Sequence, residues 1–262
     1  MILLLSTGTL YTSSLEEVFD IGKETGFDGI EVLINKGFSR RHPLDKLLHL
    51  SEDILPIYTL HAPFFRLRHW RGKISALKKT VRWAGELSCQ LITFHPPNWV
   101  NLEFAFWQWL RWIKDFQREV GGGRVAVAIE NMPWMGARAK WSPYFWGRTQ
   151  KLLLLLERKN LLLTFDCTHM GTKRPDFLKE FLLFYSTGRI RNIHLSDYRP
   201  FQQHLYPGDG ILPLTRFLYL LGRLRYSGFL TVELNPRFLP QDQKEKREAL
   251  KTLVEYIRGI VG

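Results

Sequence analysis

Cysteine is scarce. Two residues in 262, Cys89 and Cys167, are too few for a disulfide framework or a cysteine-based zinc module. Neither shows a His–Cys nucleophilic arrangement, so both read as buried structural thiols. Acid is short as well: 25 Asp and Glu stand against 37 Lys and Arg, a net charge of +12. That excess favours anionic partners, phosphate esters or nucleic acid, and says nothing about fold. Long apolar runs are missing. None reaches the roughly 18–20 residues that span a bilayer, so no membrane partner is expected. The opening Ile2-Leu3-Leu4-Leu5 is too short for a signal-peptide core and lacks a basic leader. A reducing cytosol is the expected compartment. No linker, low-complexity tract or composition shift divides the chain, which predicts a single domain over 1–262. At 45% hydrophobic and 24% charged residues, the chain is too apolar for disorder and long enough for one sizeable core.

What the chain does have is a repeated alternation. Eight short apolar runs occur at Ile2–Ser6, Gly29–Ile34, Ile57–His61, Leu91–His95, Val125–Glu130, Leu161–Asp166, Ile190–Leu195 and Phe229–Glu233. They are continuous rather than alternating, as parallel strands buried on both faces are. Helix signals lie between them. Ser13-Ser14 precedes Leu15-Glu16-Glu17, an N-cap with acids in the first turn. Apolar positions 74, 77, 81 and 84 share one helical face. Pro175 and Pro213 each stand at a helix start, and Gly26, Gly121–Gly123, Gly188 and Gly228 precede strands. Eight βα units in this length predict a single (β/α)8 barrel. The competing doubly wound sheet would carry a glycine-rich phosphate loop after the first strand, and Ser6-Thr7-Gly8-Thr9 is not one.

In such a barrel the active site sits at the C-terminal strand ends. The residues there are Glu31, His61, His95, Glu130, Asp166, His194 and Glu233, with His169 just beyond strand 6 and His204 in the loop after strand 7. One imidazole or carboxylate at a strand end can simply bond loop backbone. Seven on one rim need their charge neutralised, since buried unpaired carboxylates are costly, and a divalent metal does that. For Glu31 two readings stand side by side: an ion pair with a loop arginine, or a substrate contact.

These tags, in this order, resemble the xylose isomerase-like TIM barrels, a superfamily that includes sugar-phosphate isomerases and epimerases and endonuclease IV. The carriers span the chain: Gly26-Phe27-Asp28-Gly29-Ile30-Glu31, Leu60-His61-Ala62-Pro63-Phe64, Phe94-His95-Pro96, Ile129-Glu130-Asn131, Phe165-Asp166-x-x-His169, His194-Leu195-Ser196-Asp197, His204-Leu205-Tyr206-Pro207-Gly208-Asp209-Gly210 and Val232-Glu233. The resemblance implies one divalent metal, Mn²⁺, Mg²⁺, Co²⁺ or Zn²⁺, held by Glu130, Asp166, His194 and Glu233. It implies a hydroxy-carbonyl substrate whose proton Glu130 and Glu233 exchange through an enediolate. His61, His95, His169, Arg199 and Glu31 would then contact substrate. The endonuclease IV branch implies additional metals on His61, His95, His169 and His204, and cleavage of abasic DNA. There the position two before His204 would be Asp, and here it is Gln202.

The positive charge has an address. Lys36, Arg40 and Arg41 follow strand 2, Arg66, Arg68, Arg71 and Lys73 follow strand 3, and Arg138, Lys140 and Arg148 follow strand 5, with no acid among them. Aromatics are interleaved, as in Phe64-Phe65-Arg66-Leu67-Arg68-His69-Trp70-Arg71 and in Trp134 to Trp146. That composition suits a lid over a small anionic sugar, single-stranded or damaged nucleic acid, an interface between copies of the chain, or a solvated basic surface. On 104–112, Trp109 and Trp112 lie three apart, a spacing that predicts packing or an oligomer contact.

Overall fold

Strand formation follows the apolar runs. In the computed structural model, which describes residues 1–36, 43–65, 67–68, 70–136 and 140–262, the strands β1 (Ile2–Ser6), β2 (Gly29–Leu33), β3 (Ile57–His61), β4 (Leu91–Phe94), β5 (Ala126–Glu130), β6 (Leu162–Asp166) and β7 (Ile190–Leu195) fall inside the expected segments. A short antiparallel hairpin follows, β8 (Asp197–Arg199) and β9 (Gln202–Leu205), and then β10 (Phe229–Val232). The seven strands and β10 close into a barrel in the order β1-β10-β7-β6-β5-β4-β3-β2, every pair parallel. The expected (β/α)8 architecture is therefore observed.

Helices lie between the strands: α1 (Leu15–Thr25), α2 (Pro43–Asp53), α3 (Lys73–Glu86), α4 (Phe104–Trp112), α5 (Phe116–Glu119), α6 (Thr149–Arg158), α7 (Cys167–Lys173), α8 (Leu178–Tyr185), α9 (Leu214–Arg223) and α10 (Gln243–Val261). Ser14 caps α1 as its sequence predicts, its side chain accepting from the Glu17 amide at 3.2 Å. Gly26 ends the same helix at φ +88°, a left-handed conformation that a side chain would strain. One expectation needs correction. Pro175 does not open α8, which starts at Leu178 with Phe177 as its cap. Of the tryptophan pair on α4, Trp109 packs beside Phe106 and Phe116, and Trp112 is 70% exposed.

The main core lies between barrel and helices, where Phe165, Phe177, Phe181, Phe184 and Phe217 are all fully buried with ring centroids 4.8–6.3 Å apart. Inside the barrel, Leu4, Leu91, Ala128 and Phe229 form a small apolar cluster of their own. Cys89 and Cys167 are free and buried. No helix among the described residues is long and apolar enough to cross a membrane. Of the basic residues singled out above, Arg40, Arg41, Arg66 and Arg138 lie outside the described residues.

Candidate metal centre

A strand in a closed barrel points alternate side chains inward, so residues two apart stack along the barrel axis. The last inward positions of β3, β5, β6 and β7, with His95 and Glu233 just beyond β4 and β10, bring six chemistry-bearing groups together. Three sets of ligand atoms lie mutually within 4.8 Å: Glu130, Asp166, His194 and Glu233; His61, His95 and Glu130; and Asp166, His169 and His204.

Glu130 is the hub. Its Oε2 lies 3.1 Å from His61 Nε2 and 2.9 Å from His95 Nε2, and its Oε1 lies 3.2 Å from His169 Nδ1 and 3.3 Å from His194 Nδ1. Burial works to raise its pKa, but the surrounding imidazoles hold it well below the usual carboxylate range. Glu233, 2.9 Å from His194 Nδ1, is likewise held low by that ring against the effect of burial. Asp166 goes the other way: burial raises its pKa despite His169 and His204. Burial pushes His95 down to about 4. Burial also opposes protonation of His169, but Asp166 and Glu130 outweigh it and lift the ring to about 9. His61 and His194 are raised, burial being overcome by the carboxylates around them.

The loops fix these groups. Asp166 accepts the His169 amide at 2.5 Å, capping α7, a helix that starts directly at the strand end. The Asn131 side chain grips the Asp166 backbone twice, donating to its carbonyl at 3.0 Å and accepting from its amide at 2.8 Å. Asp197, buried at the start of the hairpin, accepts four backbone amides, from Tyr198, Gly208, Gly210 and Leu212, at 2.7–3.1 Å. Gly210 must be glycine, since a Cβ there would lie 2.2 Å from Asp197 Oδ1.

Does a cation suit this donor set? Among the described residues, Glu130 Oε1, Asp166 Oδ2 and His194 Nδ1 are buried and make no hydrogen bond, their close neighbours being one another's ionisable groups. Such converging buried ligand atoms on three of the four residues of one cluster are what a divalent ion would satisfy. Three carboxylates and an imidazole suit a borderline-hard divalent metal.

The remaining expected residues have these surroundings. Glu31 is fully buried and pairs with no arginine among the described residues, Arg40, Arg41 and Arg66 lying outside them. Its Oε1 lies 3.0 Å from His194 Nε2. Arg199 is exposed on the hairpin, its guanidinium bonded to the Gln202 side chain. His204 bonds Ser196 through Nδ1 at 3.2 Å. Lys73 is tied to the Phe64 carbonyl at 2.6 Å and lies 3.5 Å from Glu103. Phe64 stacks on His95 with centroids 5.0 Å apart. The loops after β4 and β5 are stitched together by Trp99 N to Pro143 O and Phe145 N to Pro97 O, and leave Trp99, Trp141 and Met135 exposed.

Sequence reasoning missed a layer. Two residues before five of the six cluster residues at or next to a strand end stands a small polar, fully buried side chain: Thr59, Thr93, Thr164, Asn192 and Thr231. The pattern Thr-x-His, Thr-x-Asp, Asn-x-His and Thr-x-Glu was visible as a signal. A two-residue period puts both members of each pair on the same inner wall.

Comparison with known proteins bears on family and fold. Residues 19–258 match the family described as Xylose isomerase-like TIM barrel. An uncharacterised protein of Mycobacterium leprae (strain TN) is 26% identical over 262 residues, covering 88% of this chain and 88% of its own. An inosose isomerase of Halalkalibacterium halodurans is 24% identical over 269 residues, covering 93% of this chain and 90% of its own. The solved structure of a D-tagatose 3-epimerase-like protein has a TM-score of 0.72 at 20% identity, covering 99% of this chain and 98% of that one, a likeness of fold.

Proposed function

The chain belongs to the xylose isomerase-like TIM barrel family, and from that premise we propose that it is a divalent-metal-dependent isomerase or epimerase of a small hydroxy-carbonyl compound, a sugar or sugar phosphate. One observation carries this reading: Glu130, Asp166, His194 and Glu233 converge, and three of their buried ligand atoms make no hydrogen bond among the described residues. A divalent cation held there supplies Lewis acidity toward a substrate carbonyl. The chain's own carboxylates handle the proton. Glu130 and Glu233 are both held in the charged form at neutral pH by neighbouring imidazoles, so either can accept a carbon-bound proton. Glu233 is the partly exposed one of the pair, at 16% against 1% for Glu130. In the proposed step one carboxylate takes the proton beside the carbonyl, the C–H pair becomes the carbon–carbon double bond and the carbonyl π pair moves onto oxygen, giving an enediolate. A proton then returns from a carboxylate to the same carbon on its other face as the carbonyl re-forms, which is epimerisation; return to the neighbouring carbon, with the hydroxyl proton passing to the former carbonyl oxygen, is isomerisation. His61, His95 and His169 line the same rim and offer donors to substrate oxygens. Substitution E130Q or E233Q should lower kcat by about 100-fold or more with the fold retained. Full activity in both variants would refute the proton-transfer role.

A second reading is an endonuclease IV-like phosphodiesterase acting on abasic DNA. What favours it is the pair of further ligand triads, which share Glu130 and Asp166 with the first cluster. Against it, the Gln202 side chain is engaged by Arg199. Elemental analysis with anomalous diffraction separates the two. One metal per chain at Glu130, Asp166, His194 and Glu233 supports the isomerase. Three metals, with salt-sensitive binding of an abasic duplex, support the nuclease.

A further inference from the structure

The barrel wall beneath the cluster is polar, and its arrangement assigns a role to Glu31. We propose that Glu31 is a positioning residue that selects which ring nitrogen of His194 faces the metal cluster; this rests on the metal-dependent reading of the site. Glu31 sits on β2 and His194 on β7, on well-separated strands of the closed barrel, and both are fully buried. Glu31 Oε2 accepts from Thr59 Oγ1 at 2.8 Å and from Asn192 Nδ2 at 2.9 Å. The amide of Asn192 is oriented by its other end, where Oδ1 accepts from Thr231 Oγ1 at 2.9 Å. Two donors therefore occupy one oxygen of Glu31.

The second oxygen, Oε1, lies 3.0 Å from His194 Nε2, and neither atom has a hydrogen-bond partner elsewhere among the described residues. A carboxylate oxygen only accepts, so the hydrogen belongs on Nε2. In a neutral imidazole the lone pair is then on Nδ1. Nδ1 is the atom that lies 2.9 Å from Glu233 Oε2 and 3.3 Å from Glu130 Oε1, inside the ligand set. Thr59, Asn192 and Thr231 hold Glu31, Glu31 orients His194, and His194 presents Nδ1. The glutamate never reaches substrate.

Two measurements test this. In Zn²⁺-loaded wild-type protein, long-range ¹⁵N NMR of the His194 ring should show a protonated Nε2 and a proton-free, metal-shifted Nδ1. A metal-bound or proton-free Nε2 overturns the proposal without any variant being needed. Zn²⁺ affinity by chelator competition should fall about 10–100-fold in E31Q, the usual cost of losing the group that orients a metal-binding histidine. An E31Q chain that folds and binds Zn²⁺ within threefold of wild type overturns it as well. If E31Q does not fold, the wild-type NMR decides alone. Failure of the metal-dependent reading looks different, because wild-type protein itself would then take up no Zn²⁺.

Discussion

Glu130 meets four imidazoles through its two oxygens, and those rings do not titrate alike. His95 is pushed down to about 4 by burial, and His169 is lifted to about 9 by Asp166 and Glu130 against burial. At neutral pH the first is neutral and the second carries a proton; His194 is raised as well. A cation entering the cluster must displace protons from groups held above their ordinary value. Proton release therefore accompanies metal uptake, and affinity rises with pH as the raised histidines lose their protons, His169 at about 9. Calorimetric titration of Zn²⁺ in buffers of different ionisation enthalpy at pH 7 reads this directly. Uptake without proton release would show that the rings are already neutral. At this scale the sequence was informative about which residues reach the rim, because each stands at or just past the C-terminal end of a continuous apolar run. It was uninformative about Glu31. Its partners Asn192 and His194 lie on β7, and only barrel closure and strand stagger bring them together.

Among the elements, the β8–β9 hairpin and its following loop depend on one side chain. Asp197 takes four backbone amides along 198–212, so the loop is folded around a carboxylate rather than around an apolar core. Substitution D197A strands those amides and should lower unfolding free energy by about 3 kcal/mol or more, read as a lower urea midpoint. An unchanged midpoint would mean that water replaces the carboxylate at no cost. Because the hairpin carries His204, Gln202 and Arg199, the same variant should disturb the outer triad before the inner cluster. The eight barrel strands were legible in the chain because each is a continuous apolar run. The hairpin was not. Three- and four-residue strands carry no periodicity, and their pairing is set by Asp197 and a turn through Phe201, whose φ is +70°. Short α7 escaped notice for the same reason: its start is a side-chain cap from Asp166, not an amphipathic stripe.

For the molecule as a whole, closure joins residues 2–5 to 229–232, so both ends of the chain complete one barrel. The excess positive charge has a direction within it. Lys36, Arg68, Arg71, Lys140 and Arg148 are exposed on loops that leave the C-terminal ends of β2, β3 and β5, the face that holds the ligand clusters. Such a field accelerates encounter with anions and is screened over about 8–10 Å at physiological salt. With a phosphorylated substrate, kcat/KM should fall as ionic strength rises. With a neutral sugar it should stay flat. A flat profile for both would mean that the loops serve another partner. The buried ionisable lining of the barrel has one more consequence. Glu31, Glu130, Asp166 and His194 are withdrawn from water in the middle of the fold, so occupancy of the site is coupled to the melting of the whole chain. A cation at a hundredfold excess over its dissociation constant adds about 2.7 kcal/mol, about 5–10 °C in melting temperature for a protein of this size. Thermal denaturation across Mn²⁺, Mg²⁺, Co²⁺ and Zn²⁺ thus turns the fold into a gauge of which ion it prefers, with no substrate in hand.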